Sequence, residues 1–356
     1  MSSSNVSLAS RARHQLTNGK GIVAALLVLG GLVLPVGLSS FQLFLAGTFF
    51  ILAALAVTWD FFTGLSGYFS FGHMFLVGLG GYSSVILEHE LGLPLLLSIF
   101  LATLITTVVG TAFLAGPSLR LAGIYFAAIT LVVAIWSENL VILFSDVTGG
   151  LGGHLFVAPL GPELTGLLPV GASTDLLLYY FMFLNLLVIT GVLLVVTKSE
   201  MGVVLRAIQQ DELLLSSLGI NPDKFKITAF AITAFFTGFT GAVWTHFLSS
   251  LTPATQLSLG IMIDILVAAV IGGLGTITGP IIGIFVLEFL DWALTTIQTS
   301  TLYQNSLGGY VDIREFRRVI WMSIAVVFFY FWPEGLYPRI RERIDRIDFS
   351  GEGDDR

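Results

Sequence analysis

The sequence predicts an all-α polytopic membrane protein with about eight to ten transmembrane helices, some of them glycine-rich and either broken or closely packed. Three observations carry this prediction. Of the 356 residues, 55% are hydrophobic and only 11% charged, against about 25% charged in a soluble domain. The mean hydropathy is +0.91, more than one globular core of this length can hide. The apolar stretches are long and unalternating, which selects helices over the closed barrel, the other structure a bilayer accepts. The chain has no cysteine, so disulfides, thiolate metal sites and cysteine nucleophiles are excluded together.

Residues 1–20 are polar and carry Arg11, Arg13 and Lys20; the apolar run 21–38 follows in the manner of a signal anchor. Cleavage is the weaker reading, because no clear small-x-small site precedes the next apolar run. Further long runs occupy 41–62, 94–115, 123–144, 175–196 and 227–248, and a short one, 319–332, stops at Pro333. Two more, 64–87 and 261–290, are apolar but crowded with glycine, which in a membrane marks close packing or interrupted helices. Charge orients the set, since basic loops are retained on the cytoplasmic side. The loop 145–174 has no Lys or Arg and is expected outside; the loop 197–226 has Lys198, Arg206, Lys224 and Lys226 and is expected inside. Counting back through single crossings puts Arg120 and the tail 1–20 in the cytoplasm of a cell whose plasma membrane the chain spans repeatedly. At the other end Arg314, Arg317 and Arg318 precede the last run, while Arg339, Arg341, Arg343 and Arg346 follow it. The larger group places the tail 337–356 in the cytoplasm too. The membrane domain is then 21–336, and 261–290 has to enter, break at 272–279 and return.

The run GGLGTITGPIIG is the most unusual local feature. Gly275, Gly279 and Gly283 recur every four residues, and Pro280 suits the first turn of a new half-helix. A packing seam is the favoured reading, and a broken helix lining a pathway is the alternative. The stretch 64–87 reads similarly, with Ser66, Ser70 and His73 as polar groups at membrane depth that need partners. A structural histidine is favoured over a pathway histidine. Among the carboxylates, Asp60, Glu138 and Asp291 lie near run ends and read as interfacial, whereas Asp264 and Glu288 flank the broken segment and are candidates for an ion-coupling role. Catalytic signals are missing: the sequence has no G-x-x-x-x-G-K-[ST] phosphate loop, and its five histidines show no metal-ligand spacing. No enzyme activity, bound cofactor, metal site or nucleic-acid partner is expected of this chain, and any ATP it depends on has to bind elsewhere.

The loop SEMGVVLRAIQQDELLLSSLGINPDKFK is too organised for a tether. Val203, Val204, Leu205 and Ile208, then Leu213, Leu214, Leu215 and Leu218, fit two short amphipathic helices. Gly219 suits a left-handed helix end, and Asn221, Pro222 and Asp223 form the start of the next helix. The apolar sides of such helices need a cover, which lipid, the protein's own spans or a soluble partner could supply.

At this point the sequence resembles a family. Gly202, Arg206, Ala207, Ile208, Glu212, Leu218, Gly219, Ile220 and Lys226, with Gly238 and Gly241 in the following GFTGA, look like the permeases of ABC importers for branched-chain amino acids, specifically the M-type subunit of the leucine/isoleucine/valine system. SFGHMFLVGLGGYSS, GIYFAAITL, TGGLGG, GGLGTITGP and WPEGL are similar to further family signatures, over about residues 49–336. The chain departs from the pattern at Gln209 and at Leu213 to Ser217, where the family has a basic residue and an alanine pair. The resemblance implies that 197–226 is the cytoplasmic coupling loop. Gly202, Arg206, Ala207, Ile208, Asp211, Glu212, Leu218 and Gly219 are its expected contact residues, with Ser70, His73, Asp264, Gly275, Gly279 and Gly283 serving the pathway or helix packing. It also implies a second homologous permease chain, two cytoplasmic ATPase chains that bind ATP and Mg, and an external solute-binding protein. The solute is expected to be a branched-chain amino acid, with urea, amides and other small solutes as alternatives. The competing function is an ion- or proton-coupled secondary transporter using Asp264 or Glu288.

Overall fold

The computed structural model describes residues 28–116, 123–167, 173–299, 313–331, 335–339 and 342. The tail 1–20, Arg120, residues 332–334, and Arg341, Arg343 and Arg346 lie outside the described residues. Within these bounds the chain is helical and has no strand, only one antiparallel bridge between His154 and Leu251.

Among the described residues, seven stretches are long and apolar enough to cross a membrane: Ser40–Ser66, Leu95–Ala115, Ile124–Leu143, Thr174–Lys198, Pro222–Leu248, Pro253–Gly272 and Gly279–Gln298. The main helices are α1 (Ser40–Ser66), α2 (His73–His89), α3 (Leu95–Gly110, prolonged by a π-helical turn at Thr111–Ala115), α4 (Ile124–Leu143), α5 (Leu160–Leu167) and α6 (Thr174–Lys198). They continue with α7 (Glu200–Gln210), α8 (Glu212–Ser217), α9 (Pro222–Leu248), α10 (Leu259–Gly272), α11 (Gly279–Thr299) and α12 (Ile313–Phe331). The chain is a multi-pass membrane protein.

The helix ends follow from local chemistry. Ser39 and Gln42 form a reciprocal capping box at the start of α1, and Gly67 at φ 76° ends that helix. Ser173 and Ser258 cap α6 and α10 by accepting the amides of Leu176 and Ile261. The glycine-rich run 64–87 is split by this logic. Gly64 to Ser66 belong to α1, residues 67–72 form a connector, and the remaining glycines lie in α2.

α9 is the central element, packed along α2, α3 and α1, while α1 also meets α6, α10 and α11. Glycines set the closest approaches. A Cβ on Gly80 would run into the Gly238 carbonyl, and one on Gly241 into the backbone of Val77, so α2 and α9 touch at backbone distance. Two buried histidines tie polar groups of different helices together. His73 Nε2 lies 3.1 Å from Thr58 Oγ1 and 3.2 Å from Thr237 Oγ1, which ties α1, α2 and α9 together. His246 bridges Ser84 and the Ala158 carbonyl near the opposite end of α9.

α10 and α11 form a hairpin whose turn is the expected break. The four-residue glycine spacing does not, however, make a single stripe. Gly275 sits in the turn with φ 74°, against the backbone of Gly64 in α1. Gly279 begins α11 against Gly272, and Gly283 faces the Ala268 carbonyl of α10. The spacing thus serves two contacts, one to α1 and one inside the hairpin, because only Gly279 and Gly283 are helical.

Candidate coupling site

The loop after α6 turns back on itself at once. Gly202 makes this possible, since any Cβ there would collide with the Thr197 carbonyl at the end of α6. α7 then runs to Gln210, extended Asp211 separates it from α8, and Asp211 caps α8 by accepting the Leu214 amide at 2.9 Å. Gly219, at φ 83°, turns the chain. Asn221 accepts the Asp223 amide at 3.0 Å, with Pro222 in the first turn of α9.

Each loop helix has two unlike faces. Gly202, Leu205, Ile208 and Leu215 are buried against the bundle. Val203, Leu213, Leu214 and Leu218 point outward, with Leu213 83% and Leu218 70% exposed. Arg206 is on the exposed side, where its Nη2 donates to the Thr197 carbonyl at 3.2 Å; Ala207 is half-buried beside it.

A buried charge locks this loop to the spans. The Lys226 ammonium, 1% exposed, donates to Glu212 Oε1 at 2.6 Å and lies 3.0 Å from Asp223 Oδ1 and 3.3 Å from the Tyr68 hydroxyl. Tyr68 in turn donates to the other Glu212 oxygen, and Lys226 stands over its ring at 4.9 Å. Burial and the bond to Glu212 raise the Tyr68 pKa above its ordinary 10.0, with Lys226 opposing, so the hydroxyl remains a donor at neutral pH. Nearby, Gly67 at the end of α1 lies against the Gln209 side chain of α7.

The same end of α1 holds the hairpin turn. Asp60, expected as an interfacial group near a span end, is instead fully buried. Its Oδ1 accepts the Gly275 amide and its Oδ2 the Ile277 amide. On the far side of the turn Gly335 packs on Gly273, which brings the end of WPEGL to GGLGTITGP.

The remaining candidates fall elsewhere. Ser70 lies in the buried connector, its carbonyl accepting from Trp59 at 2.7 Å. Asp264 and Glu288 are half-buried on α10 and α11, each about 12–14 Å along its helix from the break. Glu138 is exposed on α4. Of the loop residues expected as contacts, Arg206, Asp211, Leu218 and Gly219 are exposed, Ala207 and Glu212 are half-buried, and Gly202 and Ile208 are buried against the bundle; Asp60 was read as interfacial and Tyr68 was not singled out. Asp60 carried a signal, being a carboxylate inside an apolar run. Tyr68 carried none. The arrangement is a joint between a surface loop and the bundle.

A family model described as "Branched-chain amino acid transport system / permease component" matches residues 41–316. This chain belongs to that family. Among its relatives, the protein named "High-affinity branched-chain amino acid transport system permease protein LivM" of Salmonella typhimurium is 25% identical over 313 residues, covering 82% of this chain and 68% of the relative. LivM of Escherichia coli is 24% identical with the same coverage. A "Probable branched-chain amino acid transport permease protein LivH" of Methanocaldococcus jannaschii is 25% identical over 46% of this chain and 48% of its own length. No solved structure matches. The chain is a permease subunit of an ABC importer, a class that works beside ATPase chains and a solute-binding protein, and this favours primary transport over an ion-coupled carrier built on Asp264 or Glu288.

Proposed function

We propose that this permease imports branched-chain amino acids and that α7 and α8 are its docking element for the ATPases. The observation that carries the reading is the division of the two loop helices. One face is fixed to the spans through Leu205, Ile208, Leu215 and the Lys226 ion pair, while Leu213, Leu214 and Leu218 of the α8 segment and Arg206 of α7 are exposed. Exposed leucines and an exposed cation on one short loop, held on a fixed base, suit a soluble protein partner rather than hydrocarbon. In this reading Arg206 and Leu218 join Leu213 and Leu214 on the docking face, Ala207, Asp211 and Gly219 shape the loop that carries them, and Gly202, Ile208 and Glu212, expected as contacts, instead hold the loop to the bundle. Ser70, His73, Gly275, Gly279 and Gly283 serve helix packing.

The loop 197–226 and both tails then face the cytoplasm, and 145–174 faces outward. Two ATPase chains bind ATP and Mg on the inner side, a second permease chain completes the pathway, and a solute-binding protein delivers the amino acid from outside. The relatives named LivM supply the substrate class.

The test is to assemble the chain with its second permease, ATPases and solute-binding protein in proteoliposomes and follow leucine, isoleucine and valine uptake. ATP-dependent uptake, with ATPase recovery lost in Leu213→Asp, is the expected result. Uptake driven by a proton or sodium gradient without ATP, and abolished by Asp264→Asn or Glu288→Gln, would establish the carrier reading in its place.

A further inference from the structure

Three pieces of chain that are far apart in sequence meet at the Lys226 ammonium. Tyr68 belongs to the connector that leaves α1, Glu212 opens α8, and Lys226 lies in the first turns of α9. Each of the three side chains touches the other two. Two of its sides, Lys226 to Glu212 at 2.6 Å and Tyr68 to Glu212, are short charge-assisted bonds, and the third, Lys226 to the Tyr68 hydroxyl, is longer at 3.3 Å. Lys226 is buried, whereas the side chain of Glu212 is 31% exposed, so the triangle reaches from the interior to the surface that carries the loop helices. A buried pair of this kind is a weak source of stability, because desolvating the charges offsets their attraction. Its geometric demand is strong, since α8 cannot shift while Glu212 keeps both partners.

The next contacts lead inward. Gly67, beside Tyr68, is seated on Gln209 at the end of α7. About two turns back along α1, Asp60 holds the turn of the α10–α11 hairpin through Gly275 and Ile277.

We propose that Tyr68, Glu212 and Lys226 form a latch that passes movement of the α7–α8 pair to α1 and α9, making Tyr68 and Lys226 positioning residues for coupling ATP hydrolysis to transport. This rests on the reading of α7 and α8 as the docking element. Neither residue touches solute or nucleotide in this mechanism; both act by keeping the loop helices and the spans in one register.

The experiment uses the full complex in proteoliposomes with leucine as the solute and reads two quantities, the yield of assembled complex and the leucine imported per ATP hydrolysed. Tyr68→Phe deletes one oxygen, Lys226→Met deletes the charge at similar length, and Lys226→Arg retains the charge. Tyr68→Phe and Lys226→Met are expected to keep ATP hydrolysis while importing at least about fivefold less leucine per ATP, the lower end of ordinary coupling energies. Lys226→Arg is expected to recover most of the ratio. An unchanged ratio in Tyr68→Phe and Lys226→Met overturns the latch. A fall of hydrolysis and uptake by one common factor also overturns it, because it assigns the cluster a structural role only. If Lys226→Met does not assemble, Tyr68→Phe alone decides. Failure of the docking reading is visible separately, as Leu213→Asp and Arg206→Glu that leave ATPase recovery and uptake at the level of the unaltered complex.

Discussion

Asp60 accepts the amide of Gly275 at 2.7 Å across 215 positions of sequence, and its second oxygen takes the amide of Ile277 at 3.0 Å. A turn packed against the bundle has backbone amides that need acceptors, and one buried carboxylate satisfies two of them. The same contact sustains Ile277 at φ 65°. That is a costly backbone for a β-branched residue, on the order of 1–3 kcal/mol. Asp60→Asn retains one acceptor and turns an amide NH2 toward a backbone N–H, so it should lower stability by about 1–3 kcal/mol, with Asp60→Ala worse. Thermal unfolding in detergent measures this. A midpoint unmoved in both variants would show that the turn does not depend on Asp60.

Gly279→Leu should impair assembly far more than Leu274→Ala, although the two positions are five residues apart. At Gly279 a side chain would be driven into Thr276 and the backbone of Gly272, whereas Leu274 is 38% exposed beside the turn. Gly283→Leu should be as severe, because Ala268 of α10 occupies the space. Complex recovery from detergent is the measurement. Equal and mild losses in all three would mean that α10 and α11 are not packed as a hairpin.

These two sites show what composition and spacing carry and what they leave out. The apolar runs, the interruption near 272–279 and the two loop helices were legible, because each depends on residues close in sequence: a glycine at φ 83° after α8, a proline in the first turn of α9. Asp60 was misjudged because its partners lie in another hairpin and its position in an apolar run is consistent with either end of a span. The glycine repeat was legible as close packing, but its partition between Gly64 of α1 and Ala268 of α10 depends on where α11 begins. Glu212 and Lys226 were both readable as members of the family pattern, but nothing in that pattern joins them.

Reporter fusions test the orientation. Gly161 is a poor place for one, because it lies in α5 with Thr174 against it. Gly166 has open space around it. A reporter after Gly166 should be external, and reporters after Gly219 and after Arg346 internal, following the Lys and Arg asymmetry. An external reporter after Arg346 would mean that the segment beyond α9 crosses the membrane a different number of times.

Gly219→Val isolates a backbone effect. Nothing lies within 4 Å of a Cβ at this position, so the substitution makes no clash, and its cost comes from φ 83° alone. That cost is about 1–2 kcal/mol for an ordinary residue and more for a β-branched one. Gly219→Asn should be nearly neutral, since asparagine tolerates the left-handed region. Uptake per ATP should fall in the valine variant and recover in the asparagine variant; equal behaviour of the two would remove the turn from the coupling argument.

Arg206→Glu separates docking from folding. The guanidinium is exposed and bonds the Thr197 carbonyl in the last turn of α6, where a helix favours a cation over an anion by about 0.3–1 kcal/mol. Reversal should therefore cost the isolated permease less than about 1 kcal/mol of stability, a small shift in its unfolding midpoint. At an interface the same reversal leaves a partner carboxylate facing a like charge, a loss of about 2–5 kcal/mol where the contact is desolvated and mainly a slower association where it is at the rim. ATPase recovery on the purified permease should drop at least about tenfold, the equivalent of 1.4 kcal/mol, and raising the salt concentration should weaken the unaltered complex more than the variant. A variant that unfolds early and recovers ATPase in proportion to its folded fraction would assign Arg206 to the end of α6 and leave the docking surface to the leucines alone.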